Sequence, residues 1–251
     1  MIDLARERGL DIVAISDHDN TAAFFEIKPH ADADGVTLIP AIELSCGFEG
    51  IDIHVLAYAF DPTDEQIEER LRGFRASRHR RGYAIVERLR SLGYDISAER
   101  VDQLAAGGAM GRPHVARALV EKGYASSVAE AFDTLLGTGK PGYIDKERFR
   151  IDEAVALIHG AGGLTSVAHP CHYPNPFELV PRLFDLGLDG VEVFHPDVPE
   201  EDRERYMNMA RFRGKMITGG SDDHGTVKTS ETLGTIKVPE HFIAPILERL
   251  R

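Results

Sequence analysis

The sequence predicts an α/β protein: a mainly parallel sheet of repeated βα units, interrupted by a helical insertion. Three observations lead there. Short apolar runs alternate with stretches of helical period near both ends of the 251-residue chain, the pattern of parallel strands joined by right-handed helical crossovers. Between residues 61 and 141 that alternation stops and only helical periodicity remains. Four histidines and two carboxylates each follow an apolar run, and barrels and doubly wound sheets present their chemistry at the carboxyl ends of strands.

The elements follow in order. Residues 2–8 read as helix with Gly9 as its C-cap, and residues 10–15 as a buried strand. A helical turn near 24–33 leads to a strand at 37–44, then one at 53–60. An amphipathic helix spans 64–92, with further helices near 114–122 and 128–136. Gly-rich joints separate them, at Gly107-Gly108 and from Gly137 to Gly142. After Tyr143 the alternation resumes: helix 151–161, strand 164–168, helix 177–186, strand 190–194, helix 200–213, strand 216–219 and a last strand at 235–238. The expected organisation is one domain of residues 1–60 and 142–251 and a helical insertion domain of residues 61–141.

Composition bounds the function. Hydrophobic residues make up 43% and charged residues 28% of the chain, ordinary for a globular protein. No apolar stretch approaches the roughly 18 residues of a membrane span, and no basic-then-apolar leader opens the chain, so a cytoplasmic location is expected. Cys46 and Cys171 are too few for a disulfide framework and fit a reduced compartment. The net charge of −12 argues against duplex DNA as a partner. It leaves room for a local basic groove or a small phosphorylated substrate held by metal ions.

The six strand-end residues are His18 in VAISDHDNT, Glu43 in PAIELS, His54 in IDIHVLAY, His169 in TSVAHP, and Asp222 with His224 in TGGSDDHG. A single histidine is more often structural, but six such donors at strand ends point to a polynuclear metal site. Imidazole and carboxylate donors suit Zn²⁺, Mn²⁺ or Fe²⁺. A carboxylate such as Glu43 can bridge two ions, which activate water and stabilise both the attacking and the leaving oxygen in phosphoryl transfer.

SDHD, IELS, a strand carrying His54, AHP and SDDH, in that order, resemble the PHP (polymerase and histidinol phosphatase) family, in particular its small phosphoesterases with a helical insertion. The resemblance covers essentially the whole chain. It implies a distorted (β/α)7 PHP-type barrel with a helical insertion, two or three divalent metal ions, and hydrolysis of phosphate esters of nucleotides or short oligonucleotides. It also implies roles: Glu43 bridging two ions, His54 and His169 completing one, Asp222 on a second, and His18 with His224 on a third. Family members open with a strand carrying His-x-His, followed by Ser-Asp-Gly. The chain has neither, so the first strand is expected to be missing. Two alternatives therefore stay open, a non-catalytic PHP scaffold that binds metal or ligand and a histidinol-phosphatase-like enzyme.

Further candidates surround these. Arg112 and His114 begin a helix, a natural phosphate site, and also look like the substrate-facing motif of such insertions, which would then form a lid over the barrel mouth. Arg75, Arg78, Arg80 and Arg81 form a basic run, with Arg78 and Arg81 on one face to guide phosphates. His172 and His195 follow strand ends, where either can bind phosphate or, as the catalytic group expected of His195, protonate the leaving oxygen. Asp17 and Asp19 flank His18, one of them a support for a ligating histidine.

Overall fold

The computed structural model describes residues 1–105, 110–223 and 232–250, and the chain divides into two compact units, Met1–Glu68 with Arg148–Arg251, and Glu69–Glu147.

In the first unit, α1 (Ile2–Glu7) leads through Gly9 at φ +68° into β1 (Ile12–Ile15). α2 (Ala22–Asp34) ends on Gly35 in the left-handed conformation and delivers β2 (Thr37–Phe48), a twelve-residue strand buried along most of its length. β3 (Ile51–Tyr58) returns directly, since Phe48 pairs with Ile51 across the two-residue turn Glu49-Gly50. Both turn residues have positive φ (+49° and +81°), the type I′ geometry whose twist matches that of the flanking strands. The expected mainly parallel sheet is therefore observed with one strand reversed: β3 runs antiparallel to β2 and to β5 (Leu164–Val167). The pairings of β1 with β2, of β5 with β6 (Gly190–Phe194), of β6 with β7 (Met216–Gly219), and of the two-residue β4 (Phe149–Arg150) with β2 are parallel.

The strand order is β1-β2-β3-β5-β6-β7, with β4 beside β2, and among the described residues the sheet is not closed into a ring by hydrogen bonds. Helices Ile151–Gly160, Pro176–Asp185, Glu200–Phe212 and Glu240–Glu248 connect or follow the strands. The strand expected at 235–238 is absent. Thr232 starts a turn with Gly234 at φ +75° in its third position, which Thr235 closes through its N–H and hydroxyl, both donating to the Thr232 carbonyl. The last helix places Ile246 in a core with Ile39, Leu56 and Leu164.

The second unit is helical. Most of the long helix Glu65–Ser91 packs with Ala98–Ala105, Arg112–Glu121 and Val128–Ala131 around Val86, Leu89, Val101, Val115, Leu119 and Leu136. A π-helical turn, Phe132–Leu136, replaces the end of the helix expected over 128–136. Among the described residues no helix is long and apolar enough to cross a membrane.

Candidate metal centre

The site begins where β1 stops. Its ladder with β2 ends at Ile15 opposite Pro40, but the chain stays alongside β2: Glu43 N–H donates to Asp17 O (3.1 Å) and Asp19 N–H to Glu43 O (2.9 Å). His18 thus lies opposite Glu43 as an isolated bridge. Asp19 fixes this course. Only 2% exposed, it accepts Ser45 N–H at 2.8 Å and Ser45 Oγ–H at 2.9 Å. Ser45 lies two residues beyond Glu43 on the same face of β2, and its partner across the hairpin is His54. The tight turn brings Glu43 and His54 together. His169, just past β5, completes the group, its backbone N–H donating to Glu192 Oε2 on β6 (2.7 Å). Asp19, His169 and Asp222 have positive φ (+51°, +27°, +46°), half of the six non-glycine residues that do so among those described. Such conformations cost about 1–3 kcal/mol each and gather at functional sites.

Glu43 is divided between two sets of donors. Its Oε1 lies 2.7 Å from His54 Nδ1 and 3.2 Å from His169 Nε2, and those nitrogens are 3.3 Å apart. Its Oε2 faces His18 Nδ1 at 3.6 Å. Donors bound at about 2.0–2.1 Å to one tetrahedral ion sit about 3.4 Å from each other, so the two histidines and one carboxylate oxygen fit a shared divalent cation. His18, Glu43 and His54 also place one donor atom each within 4.8 Å of the others. Electrostatics agree. Burial alone would raise the Glu43 carboxyl, but hydrogen bonds from His169 and His54 and the nearby charge of His18 hold it down to about 2. Burial disfavours a charged His169, yet Glu43, Glu192 and Asp222 raise its pKa. A proton held there is one that a cation displaces.

Asp222 lies beside this group, its Oδ2 3.8 Å from His195 Nε2. His224 lies outside the described residues. His195 is 1% exposed and accepts the Asp197 N–H on Nδ1 at 3.1 Å. A neutral imidazole that accepts on Nδ1 carries its proton on Nε2, so His195 faces Asp222 as a donor rather than as a metal ligand. Among the described residues neither His195 Nε2 nor His169 Nδ1 meets a hydrogen-bond partner, although both atoms are buried. His172 packs on His169, ring centroids 4.8 Å apart, and its Nε2 pairs with Asp197 Oδ2 at 2.9 Å.

Sequence reasoning left three participants unnamed. Asp197 partners both His172 and His195. Glu192 is a buried carboxyl raised to about 7, chiefly by burial. Tyr173 accepts the His54 N–H on its hydroxyl at 2.9 Å. Glu192 stands out in the sequence as the one charged residue within the apolar run GVEVF, but nothing local identifies the other two.

The remaining candidates lie in the helical unit and are engaged there. Arg112 donates to the Leu136 carbonyl (3.3 Å), with its guanidinium over the Phe132 and Tyr143 rings at 5.5 and 5.6 Å. His114 Nδ1 accepts the Gly111 N–H at 3.1 Å. Arg81 Nε donates to the Ile144 carbonyl at 2.7 Å, and Arg78 is half-buried.

Asp19→Ala is expected to cost about 2–3 kcal/mol, because the Ser45 N–H and hydroxyl lose a charged partner. In a chain of this size that is a Tm fall of roughly 4–12 °C. Metal affinity should drop about 10–100-fold as His18 loses its support. Calorimetric titration that finds affinity unchanged in a variant that melts lower would remove Asp19 from the site.

The chain matches no family model. It is 33% identical over 230 residues to the 5′-3′ exoribonuclease Rnm of Escherichia coli, covering 89% of the chain and 78% of that protein. It is 27% identical over 262 residues to a 3′,5′-nucleoside bisphosphate phosphatase of Chromobacterium violaceum, covering the whole chain and 90% of that protein. A solved structure from Bifidobacterium adolescentis, named as a metal-dependent phosphoesterase, superposes with a TM-score of 0.80 at 34% identity, over 99% of this chain and 89% of that one.

Proposed function

The chain belongs to the PHP-type metal-dependent phosphoesterases, and on that footing we propose that it hydrolyses phosphate esters of nucleotides or short oligonucleotides with two or three ions of Mn, Zn or Fe. The observation that carries this reading is the division of Glu43, with one oxygen among His54 and His169 and the other toward His18. A carboxylate shared in this way would hold two cations. Such ions, when bound, activate water and neutralise charge on the phosphoryl oxygens. Asp222 and His224 would add ligands to the second and third ions.

The protein's own groups do the rest. His195 protonates the departing oxygen from Nε2 as an imidazolium, whose Nδ1 has taken up a proton and released the Asp197 N–H. His172, held by Asp197, hydrogen-bonds a phosphate oxygen. Arg112, His114, Arg78 and Arg81 contribute phosphate contacts. The expected substrates are a 3′,5′-bisphosphonucleotide and a short 5′-phosphorylated RNA, with histidinol phosphate as the comparison.

Phosphate release in Mn²⁺ is the test. Turnover of either nucleotide substrate should fall at least about 100-fold in chelator and return when metal is restored. If calorimetry finds metal bound but neither nucleotide turns over, the scaffold reading replaces this one. Preference for histidinol phosphate would move the chain to the third reading.

A further inference from the structure

We propose that the long insertion helix binds the body of a single-stranded oligonucleotide along a stripe of Arg72, His79, Arg80 and Tyr83. This extends the phosphoesterase reading above to substrates longer than a mononucleotide.

The sequence concentrates charge there. Residues 72–83, RGFRASRHRRGY, hold five arginines and no acid in a chain of net charge −12. The structure then sorts the arginines. Leu71, Phe74, Ile85, Val86 and Leu89 are buried, and on their side of the helix Arg81 turns inward to the Ile144 carbonyl. At about 100° per residue, Arg72, His79 and Tyr83 fall in a band roughly 40° wide, about 100° round the helix from Leu71 and Leu89, with Arg80 a further quarter-turn away from the buried side and Arg75 half-buried between Leu71 and Val86. Arg72, Arg80 and Tyr83 are exposed.

The stripe is also aromatic. The His79 and Tyr83 rings pair edge to face, with centroids 5.5 Å apart and planes at 76°. Asp102 lies 3.6 Å from His79 Nε2, His79 being 43% exposed. Tyr83 is 44% exposed, one of the few large apolar side chains left in solvent. Guanidinium groups that follow a phosphate backbone, interleaved with rings on which bases stack, are the chemistry of single-strand binding. Duplex hides its base faces, so the rings would gain nothing there. An acidic protein surface would use the arginines but leave Tyr83 idle.

Anisotropy of a 3′-labelled, 5′-phosphorylated RNA of about 12 nucleotides, with phosphorothioate linkages that resist cleavage, tests this on the whole chain. Tyr83→Ala should weaken binding about 5-fold or more, while Tyr83→Phe binds as the parent does. Arg72→Ala with Arg80→Ala should lower the slope of log affinity against log salt by about 1.4, at about 0.7 per contact. Hydrolysis of a bisphosphonucleotide should be unchanged in all of them. Parental RNA affinity in Tyr83→Ala and in the double arginine variant overturns the proposal. So does an equal loss of affinity for duplex RNA or poly-glutamate, which makes the stripe a general anion patch. If the parent binds RNA, the variants weaken it, and no phosphate ester is turned over, the stripe stands and the phosphoesterase reading falls.

Discussion

Glu43→Gln is expected to remove metal-dependent hydrolysis, by on the order of 10³-fold or more. The amide keeps the volume of the side chain but loses the charge that three imidazoles face, and it presents an NH₂ to one of the two donor sets. His54 Nδ1 and His169 Nε2 would remain 3.3 Å apart with no anion between them. Metal content by mass spectrometry should fall together with activity. Full metal occupancy alongside lost activity would mean that Glu43 acts on the substrate and not as a bridge. The same substitution has a pH signature. In the folded metal-free protein the Glu43 carboxyl is held near 2, against 4.5 ordinarily. The stability it contributes is therefore present above about pH 4.5 and lost as the pH falls toward 2. The difference in unfolding free energy between parent and variant should close over that interval.

His195→Gln is expected to lower kcat by about 10²–10⁴-fold on nucleotide substrates, the range for loss of a positioned general acid. Glutamine keeps a donor facing Asp222, but it cannot surrender a proton. The loss should therefore shrink on p-nitrophenyl phosphate, whose leaving group departs without protonation. An equal loss on both substrates would instead assign His195 to orienting Asp222, 3.8 Å away. Metal content should be unchanged in either case, since Nδ1 is occupied by the Asp197 N–H.

How far the sequence carried the reading depends on the range over which each feature is determined. His18, Glu43 and His169 were legible because each ends an apolar run, although β2 continues past Glu43 to Phe48; His54 opens its run and joins them only because β3 runs antiparallel to β2. The reversal of β3 was not legible. Glu49-Gly50 lacks the Asn-Gly or Asp-Gly signature of a tight hairpin, and two neighbouring apolar runs read equally well as parallel strands. The helix Glu240–Glu248 was missed because Pro245 lies inside it, where proline normally argues for a break. Asp19 was suspected as a support for His18, but its partner proved to be Ser45, 26 residues away, a matter of register between strands. Asp197 joins two loops whose approach depends on the pairing of β5 with β6. Arg78 and Arg81 share a helix face as their spacing requires, but which face is buried was decided by the insertion core.

The tight turn between β2 and β3 also bears on how the centre assembles. Glu43 and His54 are 11 residues apart (54 − 43), whereas Glu43 and His169 are separated by 126. Closing the longer loop costs about 2 kcal/mol more in chain entropy. Two of these three donors are thus gathered locally by a hairpin, and the more costly closure is left to His169. A cation that gripped all three would work as a removable cross-link between distant parts of the chain, its concentration setting how firmly that loop is held shut.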